Sequence, residues 1–265
     1  MLESSLLWQV SGQIGSPSYL YGTMHVRDEV AYRHIEKAKR FLYKCQAMKL
    51  EMDLNEMQQI PSDTYLLPNG NGLTDYLPES KYIKLMSILK KAYDFDLAAH
   101  SRLKPLLIIN KISESILGKQ HAQPLDAYLW QEGQRMNMKC SGLETVDEQI
   151  HVLQSIDIDL QIKMLKDVCR DVGKYRQSIN NLKGLYEKED IVALYQTTRK
   201  SLGSLRCILL HDRNKRMADR IGEAIDAEPT FYAIGAAHLS GYYGVLALLK
   251  RKNFKLTAIQ NEIRD

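Results

Sequence analysis

The two ends of this 265-residue chain carry the same short pattern, Gly-x-x-His at the carboxyl end of a predicted strand. The first copy runs from Gly22 to His25, and the second runs from Gly235 to His238. Each copy is followed by a predicted helix and a further predicted strand. One Gly-x-x-His is a weak signal, because chance produces it in many chains with seven histidines. Two copies at the same point of a strand-loop-helix-strand unit predict that both ends fold alike.

The predicted strands lie at the two ends of the chain and around residue 140, and the rest of the sequence has helical periodicity. Strands are predicted at residues 6–10, 19–21, 46–52, 139–143, 230–234 and 254–259. The first two form a hairpin through the turn-rich residues 11–17, and a helix is predicted at about 29–43. Helical insertions are predicted at about 55–136 and 155–228. We therefore expect one domain, residues 1–265, of the α/β (α+β) class with a large helical insertion.

Composition and charge exclude several classes of protein. Hydrophobic residues make up 45% of the chain and charged residues 26%, as in an ordinary soluble globular protein. The net charge of +4 is too small to indicate a nucleic-acid partner. The four cysteines lack a Cys-x-x-Cys pattern and are predicted to be free thiols. Neither a signal peptide nor a membrane-spanning run is evident, so we expect a cytoplasmic chain, unless a leader was trimmed from it.

Four residues with catalytic or metal-binding side chains fall at the ends of different predicted strands. They are His25, Glu51, Glu144 and His238. Ligands gather beyond the carboxyl ends of parallel strands, where loops present side chains. Two imidazoles and one carboxylate form an open catalytic metal site, and a second carboxylate within hydrogen-bond reach can act as a base. The pattern therefore predicts a metal centre at this sheet edge.

Structural roles compete with this interpretation. Either histidine can be a buried side chain satisfied by the backbone, and either glutamate can cap a helix or form a surface ion pair. The two motif glycines are expected to allow a tight exit from the strand or an unusual backbone dihedral. Arg213 is a candidate clamp for a substrate oxyanion or carboxylate, or a solvated salt bridge. No Gly-x-Ser-x-Gly or phosphate-binding glycine loop is present, so a serine hydrolase or nucleotide site is not favoured.

Taken together, the motifs resemble those of the TraB/PrgY/GumN family, which includes the TIKI metalloproteases and lies within the broader EreA/ChaN-like superfamily. The resemblance covers most of the chain. The segments that carry it are Leu7-Trp8, Ser18 to Val26, Leu50-Glu51-Met52-Asp53, Leu125-Asp126, Gly142 to Thr145, Glu148-Gln149, Asp212-Arg213-Asn214, Ala233 to Leu239 and Gly241.

The resemblance implies an EreA/ChaN-like fold, with two related strand-helix halves around a shared mixed sheet. It also implies a metal-dependent peptidase supported by Mn²⁺ or Co²⁺, with Zn²⁺ as a further possibility. His25 and His238 match the two motif histidines, and Glu51 matches the glutamate after the first helix. Glu144 and Arg213 match further family positions.

Two functions from different classes follow. In the first, His25, Glu51 and His238 hold a divalent metal, Glu144 is the base, and Arg213 stabilises the oxyanion during cleavage of a peptide or protein substrate. In the second, a non-catalytic regulatory protein holds a peptide, metal or haem in the same crevice. New peptide termini that depend on metal favour the first function, and saturable binding with intact peptides favours the second. The sequence leaves the oligomeric state open.

Overall fold

The computed structural model describes residues 4–12 and 15–260. Gln13 and Ile14 of the predicted hairpin turn, together with the first three and last five residues, lie outside these ranges. The chain divides into two compact units. The described residues of unit 1 are 4–12, 15–58, 119–149 and 182–260, and those of unit 2 are Gln59–Gly118 and Ile150–Asn181.

The strands are, in chain order, β1 (Leu7–Ser11), β2 (Ser18–Thr23), β3 (Ala47–Met52), β4 (Lys139–Glu144), β5 (Thr230–Gly235) and β6 (Lys255–Ala258). The α-helices are α1 (Glu29–Tyr32), α2 (Ile35–Leu42), α3 (Leu54–Met57), α4 (Leu73–Tyr76), α5 (Glu79–Tyr93), α6 (Pro105–Ile116), α7 (Leu125–Arg135), α8 (Val146–Ser155), α9 (Ile158–Arg170), α10 (Val172–Glu187), α11 (Ile191–Leu202), α12 (Asp212–Ala224) and α13 (Val245–Arg251).

Unit 1 contains a six-stranded mixed sheet with the order β4-β3-β5-β2-β1-β6. The neighbouring strands β4, β3, β5 and β2 are parallel, so their carboxyl ends share one edge. The predicted hairpin is present, because β1 pairs antiparallel with β2, and β1 is also antiparallel to β6. The mixed sheet and the many helices confirm the predicted α/β class. The specific EreA/ChaN-like arrangement stays a prediction.

Each unit has its own hydrophobic core. In unit 1, β2 and β5 carry continuous apolar runs that include Leu20, Tyr21 and Phe231, and these side chains are fully buried. Such runs are typical of parallel strands that are covered on both faces. The core of unit 2 is formed by helices, with fully buried Leu89 and Leu165 among its members.

The helix predicted at about 29–43 is wrong in one respect, since the structure has two helices, α1 and α2, in its place. The break falls at His34, whose backbone leaves helical geometry with φ of −100° and ψ of 9°. The ring of His34 lies 3.1 Å from the carbonyl oxygen of Glu187 and 3.4 Å from the carboxylate of Glu189. These tertiary contacts lie far along the chain, and local periodicity does not show them.

The helices of the predicted insertions do not all belong to unit 2. α7, α11 and α12 fall within the ranges predicted as insertions, at about 55–136 and 155–228, but they belong to unit 1. The assignment of residues 1–265 to one domain stays a prediction. Within residues 4–12 and 15–260, every helix is too short or too polar to cross a membrane.

All four cysteines are free thiols, as predicted, and they differ in exposure. Cys45 and Cys169 are buried, Cys140 is half-buried and Cys207 is exposed. Burial raises the pKa of the Cys45 and Cys169 thiols to about 12, which keeps them in the unreactive protonated form at neutral pH.

We therefore expect Cys207 to react first with a thiol reagent in the folded protein. Cys45 and Cys169 should react much more slowly, because the thiolate is the nucleophile and burial keeps both thiols protonated. Peptide mass spectrometry of the labelled protein measures each site. The variant Cys207→Ser should lose the fastest phase, whereas equally fast labelling of Cys45 in the native protein would contradict the packing described.

Candidate metal centre

The residues predicted to form the site come together at the carboxyl edge of the sheet in unit 1. His25 lies two residues beyond β2, Glu51 lies near the end of β3, and Glu144 is the last residue of β4. His238 ends a 3₁₀ turn, Ala236–His238, that follows β5 directly. Arg213 reaches the same cluster from the first turn of α12. Parallel pairing of the four strands therefore brings distant parts of the chain to one place.

His25, in the loop after β2, is oriented by a carboxylate from helix α7. Its Nδ1 lies 2.7 Å from Oδ2 of Asp126, in the first turn of α7. The hydroxyl of Thr23 donates to Oδ1 of Asp126 at 2.7 Å, which holds the carboxylate in place. The negative charge of Asp126 raises the pKa of His25 well above its usual value. This contact turns Nε2 of His25 toward the interior of the cluster.

His238 is oriented by a neutral amide. Its Nδ1 lies 2.5 Å from Oδ1 of Asn214, whose Nδ2 donates to the backbone carbonyl of Tyr243 at 2.7 Å. Since a carbonyl only accepts, the amide orientation is fixed and Oδ1 must face the imidazole. Burial lowers the pKa of His238 to about 4, so the ring is neutral at pH 7. Its proton then sits on Nδ1, and Nε2 has a free lone pair.

Glu51 lies between the two imidazoles. Its Oε1 is 3.8 Å from Nε2 of His25 and 3.7 Å from Nε2 of His238. The backbone N–H of Gly235 donates to the same oxygen at 2.6 Å, and Arg213 donates to Oε2 at 2.6 Å. Burial has the largest single effect and raises the pKa of Glu51, but Arg213, His238 and His25 together outweigh it, and the pKa lies well below its usual range. The carboxylate is therefore ionised at neutral pH.

Glu144 and Arg213 form a buried ion-pair network beside Glu51. Arg213 donates to both oxygens of Glu144, with its shortest contact at 2.6 Å, and Arg216 donates to Oε1 at 2.9 Å. Gln149 donates to Oε2 at 2.8 Å. The network engages both oxygens of Glu144, and Arg213 bridges the carboxylates of β3 and β4. Glu144 as the base and Arg213 as the oxyanion stabiliser stay predictions.

The structure contradicts one of the two alternatives expected for the motif glycines, the unusual dihedral. Neither Gly22 nor Gly235 is among the glycines with positive φ in the described chain, so an unusual dihedral is not their purpose. A Cβ on Gly22 would lie 2.7 Å from a methyl group of Leu239. A Cβ on Gly235 would lie 3.1 Å from Oε1 of Glu51 and 3.6 Å from Nε2 of His25. Gly235 thus keeps open the space between the imidazoles and the carboxylate.

The sequence matches the TraB/PrgY/gumN family over residues 6–258, which is nearly the whole chain. The chain belongs to this family. It is 26% identical to metalloprotease TIKI2 of Danio rerio, over 96% of this chain and 60% of that protein. It is 25% identical to metalloprotease TIKI1 of Danio rerio and 24% identical to that of Homo sapiens, over 96% of this chain and 63% and 61% of theirs. The chain thus spans about 60% of the length of these relatives, and no solved structure matches it.

Two residues of this TraB/PrgY/gumN family member are missing from the sequence-based site, namely Asp126 and Asn214. Both stood in segments that carried the family resemblance, Leu125-Asp126 and Asp212-Arg213-Asn214. Their roles were not evident, because each lies on a helix far along the chain from its histidine. A hydrogen-bond acceptor for each Nδ1 is a general need of ligating histidines, and this need is the signal that points to them.

The fit of a divalent metal to this family member follows from the donor atoms. In the described part of the chain, no group of three or more His, Cys, Asp or Glu side chains already has the arrangement of a metal site. His25, Glu51 and His238 nevertheless offer two imidazole nitrogens and one carboxylate oxygen around the space beside Gly235. Donors about 2.1 Å from one tetrahedral ion lie about 3.4 Å apart. The nitrogen–oxygen distances of 3.7 and 3.8 Å are close to that spacing.

Proposed function

We propose that this protein is a divalent-metal-dependent peptidase in which His25, Glu51 and His238 bind the metal. The observation that carries the proposal is the position of Oε1 of Glu51, within 3.8 Å of Nε2 of both motif histidines. The names of the TIKI relatives support the reaction class, since they are called metalloproteases. Imidazole and carboxylate donors suit Mn²⁺ and Co²⁺, and Zn²⁺ accepts the same set.

A bound divalent cation supplies a polarised water and a Lewis acid for attack on a scissile carbonyl. The protein supplies the orientation. Asp126 and Asn214 hold the two imidazoles by Nδ1, and Arg213 with the Gly235 N–H holds Glu51. His25 is the most open of the three proposed ligands, with 56% of its side chain exposed, so we place the substrate on its side of the cluster.

In this proposal Glu144 and Arg213 position the ligand Glu51. A base needs a lone pair directed at the reacting water, and both oxygens of Glu144 accept hydrogen bonds from arginines. We therefore propose that Glu144 holds Arg213, and that Arg213 holds Glu51. The roles of base and oxyanion stabiliser are left to a variant series, in which Glu144→Gln should keep the Arg213 contact and retain partial activity.

The test is mass spectrometry of a diverse peptide library incubated with the full chain and Mn²⁺ or Co²⁺. The wild type should produce new peptide termini that disappear with chelator. His25→Ala and His238→Ala should abolish both cleavage and metal uptake, and the exposed His151→Ala is the matched control. Full peptidase activity in either site variant would reject the proposal. Saturable binding with intact peptides would instead support the non-catalytic binder.

The space beside Gly235 gives a more selective prediction. Gly235→Ala should weaken Mn²⁺ binding about tenfold, because the added Cβ lies 3.1 Å from Glu51 and overpacking costs about 1–3 kcal/mol. The backbone tolerates alanine, since φ is −54° and ψ is 132°. Calorimetric titration measures the affinity. Gly184→Ala is the control, because an added Cβ there meets nothing within 4 Å; equal affinity in Gly235→Ala and wild type would contradict the placement of the metal.

A further inference from the structure

Unit 2 contains a cavity that has no part in the site described above. It lies between α5 and α9 and has a volume of about 500 Å³. This volume falls within the range of about 300–1,000 Å³ that is usual for small-molecule sites. Its lining residues are Lys81, Lys84, Leu85, Ile88, Lys166, Cys169 and Arg170.

Helical spacing explains how the lining is divided between charge and apolar surface. On α5, positions 81, 84, 85 and 88 follow the i, i+3, i+4, i+7 pattern of one helix face. On α9, positions 166, 169 and 170 follow the i, i+3, i+4 part of the same pattern and share one face. The cationic residues of both faces are exposed, whereas Leu85 and Cys169 are buried and Ile88 is half-buried. The cavity thus has an apolar floor and a cationic rim.

The charge of this rim is largely uncompensated. Arg170 forms an ion pair with Asp167 at 2.9 Å. Lys81, Lys84 and Lys166 form no ion pair with any residue of the described ranges. Three uncompensated ammonium groups around one cavity repel each other, and an anion among them relieves that repulsion.

We propose that this cavity binds a single-chain amphiphilic carboxylate, of the class of medium-chain fatty acids. The apolar floor takes the alkyl chain, and the rim takes the carboxylate. The recessed apolar floor favours a free small molecule over a membrane surface, which needs protruding apolar side chains. The inference is independent of the proposed peptidase activity, because it uses no residue of the metal centre.

The experiment is a titration of the full chain with octanoate below its micellar concentration, followed by methyl NMR and calorimetry. Saturable shifts of the Leu85 and Ile88 methyl signals are expected. Octanol, which lacks the charge, and acetate, which lacks the chain, should each bind much more weakly. Saturation that leaves both methyl signals unchanged would overturn the proposal.

Two charge reversals locate the head group. Lys84→Glu and Lys166→Glu should each weaken octanoate binding about fivefold or more, which corresponds to an ion pair of about 1 kcal/mol. Lys111→Glu on α6 makes the same change of net charge outside the cavity and should bind as the wild type does. Equal affinity in all three variants would overturn the proposal. Lysine-dependent binding to anionic vesicles without any binding of octanoate would also overturn it, in favour of a membrane surface.

Discussion

Replacing Arg213 by methionine should lower the free energy of unfolding of unit 1 by about 3–5 kcal/mol. Arg213 contacts Glu51 and Glu144, each at 2.6 Å, and all three side chains are at least largely buried. Methionine fills a similar volume but leaves the buried carboxylate of Glu51 without its arginine and leaves Glu144 with Arg216 alone. The loss is large because buried charges without a partner keep the full cost of desolvation.

The effect should depend on pH in a defined direction. The folded-state pKa of Glu51 is depressed, so the pair with Arg213 stabilises the protein above the unfolded-state pKa of about 4.5. This contribution is lost as the pH falls through the folded-state value. In Arg213→Met, burial is opposed only by His238 and His25, so the pKa of Glu51 should rise. The difference in stability between the two proteins should therefore shrink below about pH 4.

Urea unfolding followed by tryptophan fluorescence measures the change. The chain has two tryptophans, and both, Trp8 and Trp130, are buried in unit 1, so the signal reports on that unit. Arg135→Met is the control, because Arg135 is 76% exposed in its pair with Glu132 and such a pair contributes at most about 1 kcal/mol. A loss in Arg213→Met no larger than in the control would contradict the buried network.

Replacing either Asp126 or Asn214 by alanine should weaken Mn²⁺ binding by about 10–100-fold, although neither residue is a proposed ligand. Each holds one imidazole by Nδ1, at 2.7 Å for Asp126 and 2.5 Å for Asn214. Without the acceptor, the ring turns freely and its proton is no longer kept on Nδ1. Asp126→Asn retains one acceptor oxygen and should lie between the wild type and Asp126→Ala.

Calorimetric titration with Mn²⁺ measures this effect, and a helix-cap variant separates it from general destabilisation. The side chain of Asp190 caps α11 by accepting from the N–H of Ala193 at 3.0 Å. Asp190→Ala should lose about 1 kcal/mol of stability but bind Mn²⁺ as the wild type does. If all three alanine variants lose affinity equally, the imidazoles are not positioned in the manner described.

The sequence predicted the residues at the strand ends, but it did not predict the helix side chains that contact them. Alternating and continuous apolar runs predicted β2, β3 and β5, and parallel pairing then brought His25, Glu51 and His238 to one edge. Asp126 and Asn214 were not predicted, because tertiary packing decides which helix faces a strand end and no local sequence pattern shows it. The sequence also did not show the need for steric room at Gly235, which appears only when three segments are assembled.

The same principle applies to unit 2. Hydrophobic periodicity predicted the apolar faces of its helices, but it did not show that residues 59–118 and 150–181 pack together. The cavity between α5 and α9 arises from that pairing, and neither helix alone predicts it. Its cationic rim is visible in the sequence only as scattered lysines.

The proposed metal ligands are brought together only by folding, and this affects the stability of the native state. The proposed ligands come from three separate segments, and the ring of His238 is held in turn by α12 and by the chain at Tyr243. An unfolded chain has no comparable cluster of donors, so a cation that binds here binds the native state almost alone. Free cation at 100 times its dissociation constant would then add about 2.7 kcal/mol to native-state stability. A chelator would remove this added stability, so the lifetime of the folded protein would depend on the concentration of free metal.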